Sequence, residues 1–187
     1  LSWGDFGIGE GQFNLPHNIT SDPDGWVYVA DRENHRVQVF NQNGKFETQW
    51  HGLHRPCAIC TEAKSNPISF ISEAGPQLYS NLDFPNLGPR ICIVDHRGNI
   101  LARLADNGYG IQNNQLLAPH GIAFDSRYDI YVTELGNLGW TTFRPGETMP
   151  AMLPSLRKLV RVPAGKPSEK NADTITVDHS PFGVLPS

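Results

Sequence analysis

The sequence has few cysteines, no long apolar run and no basic stripe, and each absence excludes a class of protein. Three cysteines in 187 residues are too few and too unevenly spaced for a disulfide framework. No apolar stretch approaches the roughly 20 residues that a membrane-spanning helix needs. The net charge is −4 with dispersed basic residues, which argues against nucleic-acid binding. We therefore expect a soluble protein that binds neither membrane nor nucleic acid.

Signals for the cellular compartment are also lacking. The first residues, beginning Leu1-Ser2-Trp3, carry no signal-peptide pattern. Because the chain does not start with methionine, the sequence leaves open whether further blades or another segment precede it. The prediction for localisation is therefore restricted to a soluble protein, either cytoplasmic or exported.

Glycine and proline are abundant, at 18 and 15 residues, which favours short strands joined by tight turns. One four-residue phrase recurs three times, and each copy leads through a polar turn into an apolar strand that ends on an acidic residue. The copies are Pro16-His17-Asn18-Ile19, Pro56-Cys57-Ala58-Ile59 and Pro119-His120-Gly121-Ile122. Asn18-Ile19-Thr20 also fits a glycosylation sequon, but we place Ile19 in a buried inner strand and interpret the match as accidental.

The repeat predicts an all-β fold of about three four-stranded antiparallel propeller blades, with no helical periodicity. We place the blades at about residues 7–50, 51–105 and 106–163. Residues 164–187 form a polar tail in which Thr174–Val177 could supply a closing outer strand. Three blades make half of a six-bladed ring, so the ring is either closed by a homodimer or truncated.

Two histidines and an arginine define a candidate site on one rim of the blades. His17 and His120 start innermost strands, so both point toward the propeller axis and could bind a metal through neutral imidazole. Cys57 holds the matching place in the second blade, as a third ligand or as a buried thiol beside Cys60. Arg32 could clamp a carboxylate or form an ion pair with a neighbouring acid.

Further polar residues lie in the loops of the same rim. Asp31 and Asn34 flank Arg32, and Glu73 and Glu134 precede two insertions, residues 74–89 and 135–155. These four residues are candidates for binding substrate or a rim-loop ligand, whereas the glutamates could instead accept backbone N–H groups. The remaining histidines are expected at the solvated surface; they are His35, His51, His54, His96 and His179.

The segment from Gly9 to His17, followed by the run from Val29 to Asn34, resembles a blade of the NHL-repeat peptidyl-α-hydroxyglycine α-amidating lyases. The resemblance covers about residues 1–134 and extends to bacterial proteins related to those lyases. It implies a six-bladed ring, an axial zinc held by three histidines from alternate blades, and a structural calcium. His17 and His120 match two zinc ligands, and Arg32 matches an active-site arginine.

The resemblance implies a lyase that cleaves a hydroxyglycine-like small or peptidyl carboxylate at the axial site. Three departures bear on this prediction: the chain lacks the blade for a third histidine, it lacks the segment that bears the family's catalytic tyrosine, and Gly121 replaces an acidic residue linked to calcium. The alternative is a non-catalytic scaffold that binds a protein or ligand through its rim loops. A propeller hydrolase with an axial calcium is a third hypothesis, which the axial histidines disfavour.

Overall fold

The computed structural model describes residues 1–162 and 174–178, and it consists of strands with one short helix. The sequence shows no helical periodicity, but the insertion after Glu134 contains this helix. The elements are β1 (Asp5–Phe6), β2 (Gln12–Phe13), β3 (Pro16–Ser21), β4 (Val27–Asp31), β5 (Arg36–Phe40), β6 (Phe46–Trp50), β7 (Pro56–Thr61), β8 (Ser69–Glu73), β9 (Arg90–Val94), β10 (Ile100–Leu104), β11 (Pro119–Phe124), β12 (Ile130–Glu134), α1 (Gly136–Phe143), β13 (Leu156–Val162) and β14 (Thr174–Asp178).

Three four-stranded sheets follow one another along the chain, which confirms the propeller blades expected from the repeat. Their strand orders are β3-β4-β5-β6, β7-β8-β9-β10 and β11-β12-β13-β14, while β1 and β2 form a small parallel pair. Pairing within the first two sheets is antiparallel throughout. The arrangement is an open arc of blades with innermost strands β3, β7 and β11, and β7 contacts both of the others.

An aspartate closes the first turn of two blades by bonding to the turn backbone. Asp22 Oδ1 accepts the N–H groups of Asp24 and Trp26, and its second oxygen accepts the Tyr28 hydroxyl at 2.8 Å. In the third blade Asp125 accepts the Tyr131 hydroxyl at 3.2 Å in the same way. Such aspartate turns, which satisfy backbone donors locally, explain why polar turn residues alternate with apolar strands.

The second sheet is buried on both faces because its strands alternate side chains toward the two neighbouring blades. Ile71 lies in one apolar cluster with Tyr28 and Trp50 of the first sheet. Phe70, the preceding residue, lies in another cluster with Val132 and Leu159 of the third sheet. The hydrophobic core of the arc therefore consists of two layers between blades.

One flank of the first sheet has no neighbouring blade among the described residues. Ile59 in β7 is 3% exposed against the first sheet, whereas Ile19, its equivalent in β3, is 61% exposed. The prediction that Ile19 is buried was therefore wrong, since the blade that would cover it is not part of the arc. Asn18 faces inward, and its Oδ1 accepts the Ile59 N–H at 3.0 Å.

The third sheet departs from the expected blade in two ways. Strand β14 supplies a fourth strand where one was expected, but it pairs with β13 in parallel rather than as a hairpin. Residues 163–173 and 179–187, with His179 among them, lie outside the described residues. The insertion after β12 forms α1, whose buried Gly136, Gly139 and Phe143 pack inward.

Within the described part of the chain, no helix has both the length and the apolar character needed to cross a bilayer.

Candidate metal and anion site

The same backbone device presents one residue from each innermost strand. In β3, Pro16 pairs with Asp31 but the next paired residue is Asn18, so His17 lies at a β-bulge. The pairing skips Cys57 in β7 and His120 in β11 in the same way. A bulge re-aims the side chain of the extra residue. The three blades thus aim His17, Cys57 and His120 at one point.

The donor atoms of these three side chains lie within 4.8 Å of one another. The rings of His17 and His120 are edge to face, with centroids 5.3 Å apart. His17 Nδ1 is 3.0 Å from the Leu15 carbonyl oxygen, which can only accept, so Nδ1 carries the proton. The lone pair of a neutral His17 therefore lies on Nε2, so Nε2 is the nitrogen that would bind a metal. A metal bound there would replace the contact that Nε2 makes with Arg32.

Arg32 lies beside this cluster and is held there by a chain of ion pairs. It begins a 3-10 turn, Arg32–Asn34, and its Nη1 contacts His17 Nε2. Arg32 Nε donates to Glu33 at 2.7 Å, and Arg55 Nη2 donates to the same carboxylate oxygen at 2.9 Å. Arg55 is itself fixed by the Gly75 carbonyl and the Gln77 amide. Glu33 therefore orients Arg32 while leaving one edge of its guanidinium toward the histidines.

The surroundings shift the proton affinities of the cluster. Burial, with the charges of His17 and Arg32, lowers the pKa of His120 and favours neutral imidazole. Burial also raises the pKa of the Cys57 thiol, and the Arg32 guanidinium opposes that effect. Burial acts to raise the pKa of Glu33, but its bonds to Arg55 and Arg32 prevail and lower it. The Glu33 carboxylate therefore stays charged between the two arginines.

A pocket of about 80 Å³ opens beside the cluster. Its floor carries Arg32, Cys57 and His120, and its walls come from the two rim insertions, including α1. The remaining lining residues are Arg55, Ala74, Pro76, Gln77, Ala118, Leu135, Leu138, Gly139, Thr142 and Phe143. The floor is thus polar and cationic, whereas the wall formed by α1 is largely apolar.

The acidic residues proposed for the rim lie inside the blades instead. Asp31, Glu73 and Glu134 have almost no exposed side-chain surface, and each forms an ion pair with an arginine of the next strand, respectively Arg36, Arg90 and Arg157. Each also accepts a backbone N–H from the loop before its own blade. Glu73 and Glu134 therefore accept backbone N–H groups, which is the alternative role considered for them, and Asp31 does the same.

Asn34 also contacts its own blade, because its amide donates to the Gly7 carbonyl and to Asp31 at 2.8 Å in both cases. His54 was expected in solvent, but it is half-buried and stacks on His35 at a centroid distance of 4.6 Å. Burial, reinforced by the charges of His35 and Arg55, lowers the pKa of His54 to about 4. Neither Asn34 nor this stack lines the pocket.

The ion pair expected between Arg32 and a neighbouring acid is formed with Glu33. Sequence reasoning missed the contribution of Arg55, Gln77 and Thr142. Arg55 lies two positions before Cys57, as Leu15 lies two positions before His17. The repeat could therefore have predicted that Arg55 lies near the site. Its pairing with Glu33 spans 22 residues and crosses two blades, which no local pattern indicates. Gln77 and Thr142 belong to insertions that have no counterpart in the first blade.

The fold defines an arc of β-propeller blades, and its inner strands present two histidines and a cysteine at one rim. Residues 13–40 match the family model of the NHL repeat, so the chain contains at least one NHL repeat. A solved structure of a Bacteroides caccae protein of unknown function has the same fold over 75% of this chain and 44% of its own, with 12% identity and a TM-score of 0.52.

Curated relatives match parts of the chain. Human NHL repeat-containing protein 3 is 33% identical over 84 residues, which is 45% of this chain and 23% of that protein. The Drosophila melanogaster protein brain tumor is 28% identical over 145 residues, 71% of this chain and 12% of that protein. The chain thus spans less than a quarter of either relative. These relatives support an NHL-repeat protein and do not extend the resemblance to an amidating lyase.

Proposed function

We propose that the chain forms the metal- and carboxylate-binding part of a lyase-like propeller enzyme. The substrate class is a hydroxyglycine-like small or peptidyl carboxylate, and an N-acyl-α-hydroxyglycine is a simple member of it. The observation that supports the proposal is that His17 lies beside His120 and Arg32, and that His120 and Arg32 form part of the floor of one pocket. Imidazole nitrogens beside a guanidinium suit a ligand that combines a hydroxyl group with a carboxylate.

The chain's own residues divide the work of binding and orientation. Arg32, held by Glu33, offers guanidinium N–H groups to the carboxylate and stabilises negative charge that develops during cleavage. The wall formed by α1 excludes water and accommodates the acyl part of the substrate. In the reaction the C–N bond breaks, the hydroxyl proton leaves its oxygen, the amide nitrogen gains a proton, and the products are an amide and glyoxylate.

The donors present fit a divalent transition metal. His17 and His120 would hold it, and the metal would supply a Lewis acid that polarises the hydroxyl or carboxylate oxygen. Zinc suits imidazole nitrogen, whereas calcium takes oxygen ligands. The acidic residues expected at the rim form ion pairs within the blades instead. They therefore do not support calcium binding at this site.

Metal analysis and an activity assay test this proposal. The protein is treated with a chelator, loaded with Zn²⁺, and assayed for bound metal and for glyoxylate release from an N-acyl-α-hydroxyglycine. We expect about one zinc per site and its loss in His120→Ala, while His96→Ala, a histidine of a remote turn, retains it. Equal zinc occupancy in both variants would contradict the metal site, and zinc binding without glyoxylate release would contradict the lyase.

The alternative function is a non-catalytic scaffold that binds a protein through its rim loops. The insertion at residues 74–89 exposes three large apolar side chains, with Leu78 68%, Tyr79 76% and Phe84 65% exposed. Exposed aromatic residues on rigid scaffolds are typical of protein-binding surfaces.

A displayed peptide library separates the two functions. A scaffold predicts that peptides selected on the protein lose binding when Leu78, Tyr79 and Phe84 are replaced by serine, whereas chelation and His120→Ala leave binding unchanged. A lyase predicts that binding of selected peptides is lost on chelation and in His120→Ala, and is retained when the three loop residues are replaced. Selection of no peptide that depends on the loop would contradict the scaffold.

A further inference from the structure

We propose that Cys57 is the third protein ligand of the axial metal, which makes the site a His₂Cys centre drawn from three consecutive blades. The inference rests on the proposed function, since it presumes that His17 and His120 bind the same ion. It goes beyond that function by assigning a thiolate ligand and, with it, a preference for thiophilic metals.

The three proposed ligands occupy equivalent backbone positions. His17, Cys57 and His120 each follow the proline that starts an innermost strand, and each is the residue skipped in the pairing with the second strand. Their side chains are therefore delivered by one repeated conformation rather than by three independent loops. A ligand role for the two histidines implies that the third position points at the same ion.

The three cysteines, all of which are free, have different surroundings. Cys92 donates its S–H to Glu73 at 2.7 Å inside the second blade. Cys60 packs against the apolar layer between the second and third blades, and burial raises its pKa to about 12. Only Cys57 has its sulfur within 4.8 Å of the histidine donors and lines the pocket.

Coordination chemistry also supports Cys57 as a ligand. Ideal zinc–nitrogen and zinc–sulfur bonds of about 2.0 and 2.3 Å place donors roughly 3–4 Å apart, so small side-chain rotations would complete the triad. On binding, the S–H bond breaks, its electron pair becomes the sulfur–metal bond, and the proton leaves to solvent. Arg32 adjoins the thiolate that forms, and its charge is complementary. Three protein ligands leave a coordination position open toward the pocket.

Cobalt provides a direct test because a thiolate bound to Co²⁺ gives an intense near-ultraviolet charge-transfer band that imidazole ligands do not give. Metal-free protein is titrated with Co²⁺ and followed by absorbance. We expect the band in the unaltered protein and in Cys60→Ser, the matched control, and its loss in Cys57→Ser. Cobalt affinity in Cys57→Ser should fall at least 10-fold, the order of effect seen when a site loses a supporting group.

A second variant separates loss of a ligand from loss of the fold. Cys57→His should bind Co²⁺ without the charge-transfer band, because it replaces the thiolate with a third imidazole. Cobalt binding by the unaltered protein without the band, or an undiminished band in Cys57→Ser, would overturn the His₂Cys assignment and leave the two-histidine site standing. Failure of every variant and of the unaltered protein to bind Co²⁺ would overturn both proposals.

Discussion

At the residue scale, the contact between Glu33 and two arginines determines how Arg32 meets a ligand. Glu33 accepts from Arg32 Nε and from Arg55 Nη2, so it fixes the guanidinium plane of Arg32. Glu33→Gln removes the charge but keeps the side-chain shape. We expect glycolate, a minimal α-hydroxy carboxylate, to bind the metal-loaded protein about 10-fold more weakly, equivalent to about 1.4 kcal/mol. Titration calorimetry measures this change.

The control for that variant is Glu47→Gln, which removes an exposed carboxylate from β6. Both variants should bind Zn²⁺ as the unaltered protein does, because Glu33 contacts arginines and not the donor cluster. Unchanged glycolate affinity in Glu33→Gln would show that Arg32 does not depend on Glu33 for its orientation.

The His54 imidazole makes stability depend on pH. Its pKa is about 4 in the folded protein and about 6.5 when exposed, so the unfolded chain binds more protons between these values. The contribution of neutral His54 is therefore fully present above about pH 6.5 and is lost as the pH falls toward about 4. After discounting for solvent screening of a half-buried group, we expect a loss of about 1–3 kcal/mol.

Urea unfolding at several pH values measures this loss. In His54→Gln the decrease in unfolding free energy between pH 6.5 and 4 should be smaller, while His51→Gln, at an exposed histidine, should retain the full decrease. Equal pH dependence in His54→Gln and the unaltered protein would contradict the assignment.

Single residues were predictable where the repeat fixes their backbone position. The Pro-His phrase places His17 and His120 at equivalent strand starts, and the loop after the second strand places Arg32 on the same rim. The roles of the buried acidic residues were harder to predict, because an acidic residue at the end of a strand can bind a ligand at the rim or pair with an arginine. Glu73 and Arg90 are 17 residues apart, and only the sheet brings them together.

At the element scale, a tryptophan at the end of one blade packs onto the glycine turn of the next. A Cβ on Gly98 would lie 2.2 Å from Trp50 Cδ1, and Gly44 has the same relation to Trp3 at 2.7 Å. Gly98 also has a φ of +84°, a conformation that strains residues with a side chain. This contact makes the glycine turn part of the joint between blades.

Gly98→Ala should therefore destabilise the protein by about 2–4 kcal/mol, through backbone strain and displacement of Trp50. Gly108→Ala is the matched control, because Gly108 has a φ of +72° and no atom within 4 Å of the added Cβ. The control isolates the backbone cost of about 1 kcal/mol. Equal losses of unfolding free energy in the two variants would show that the Trp50 contact is unimportant.

The elements that sequence reasoning placed correctly are those whose turns and strands repeat. The helix in the second insertion was missed because α1 has only eight residues, two of them glycine, so it has neither periodicity nor strong helix propensity. Its position depends on close packing: a Cβ on Gly139 would lie 2.8 Å from Leu117 Cβ. Such tertiary contacts are not encoded in a local pattern.

At the scale of the whole molecule, the open flank of the first sheet resembles the joints between blades. Ile19 is equivalent to Ile59, which packs on the preceding blade. Leu15, just before β3, is also exposed, at 56%. Apolar surface in a joint position favours association with another blade. A second copy can supply that blade by placing its third sheet on this flank, and two such contacts would close a six-bladed ring.

Light scattering tests this arrangement. For a chain of 20.7 kDa we expect a molar mass near twice that value at micromolar concentration. Ile19→Glu should return the mass to that of one chain, because a buried, unpaired carboxylate opposes the contact. Leu78→Glu, which adds the same charge to an exposed residue of the rim insertion, should leave the mass doubled. A mass of one chain for the unaltered protein would contradict pairing of two copies. Either result leaves the proposed metal centre within one chain, because His17, Cys57 and His120 all lie on that chain.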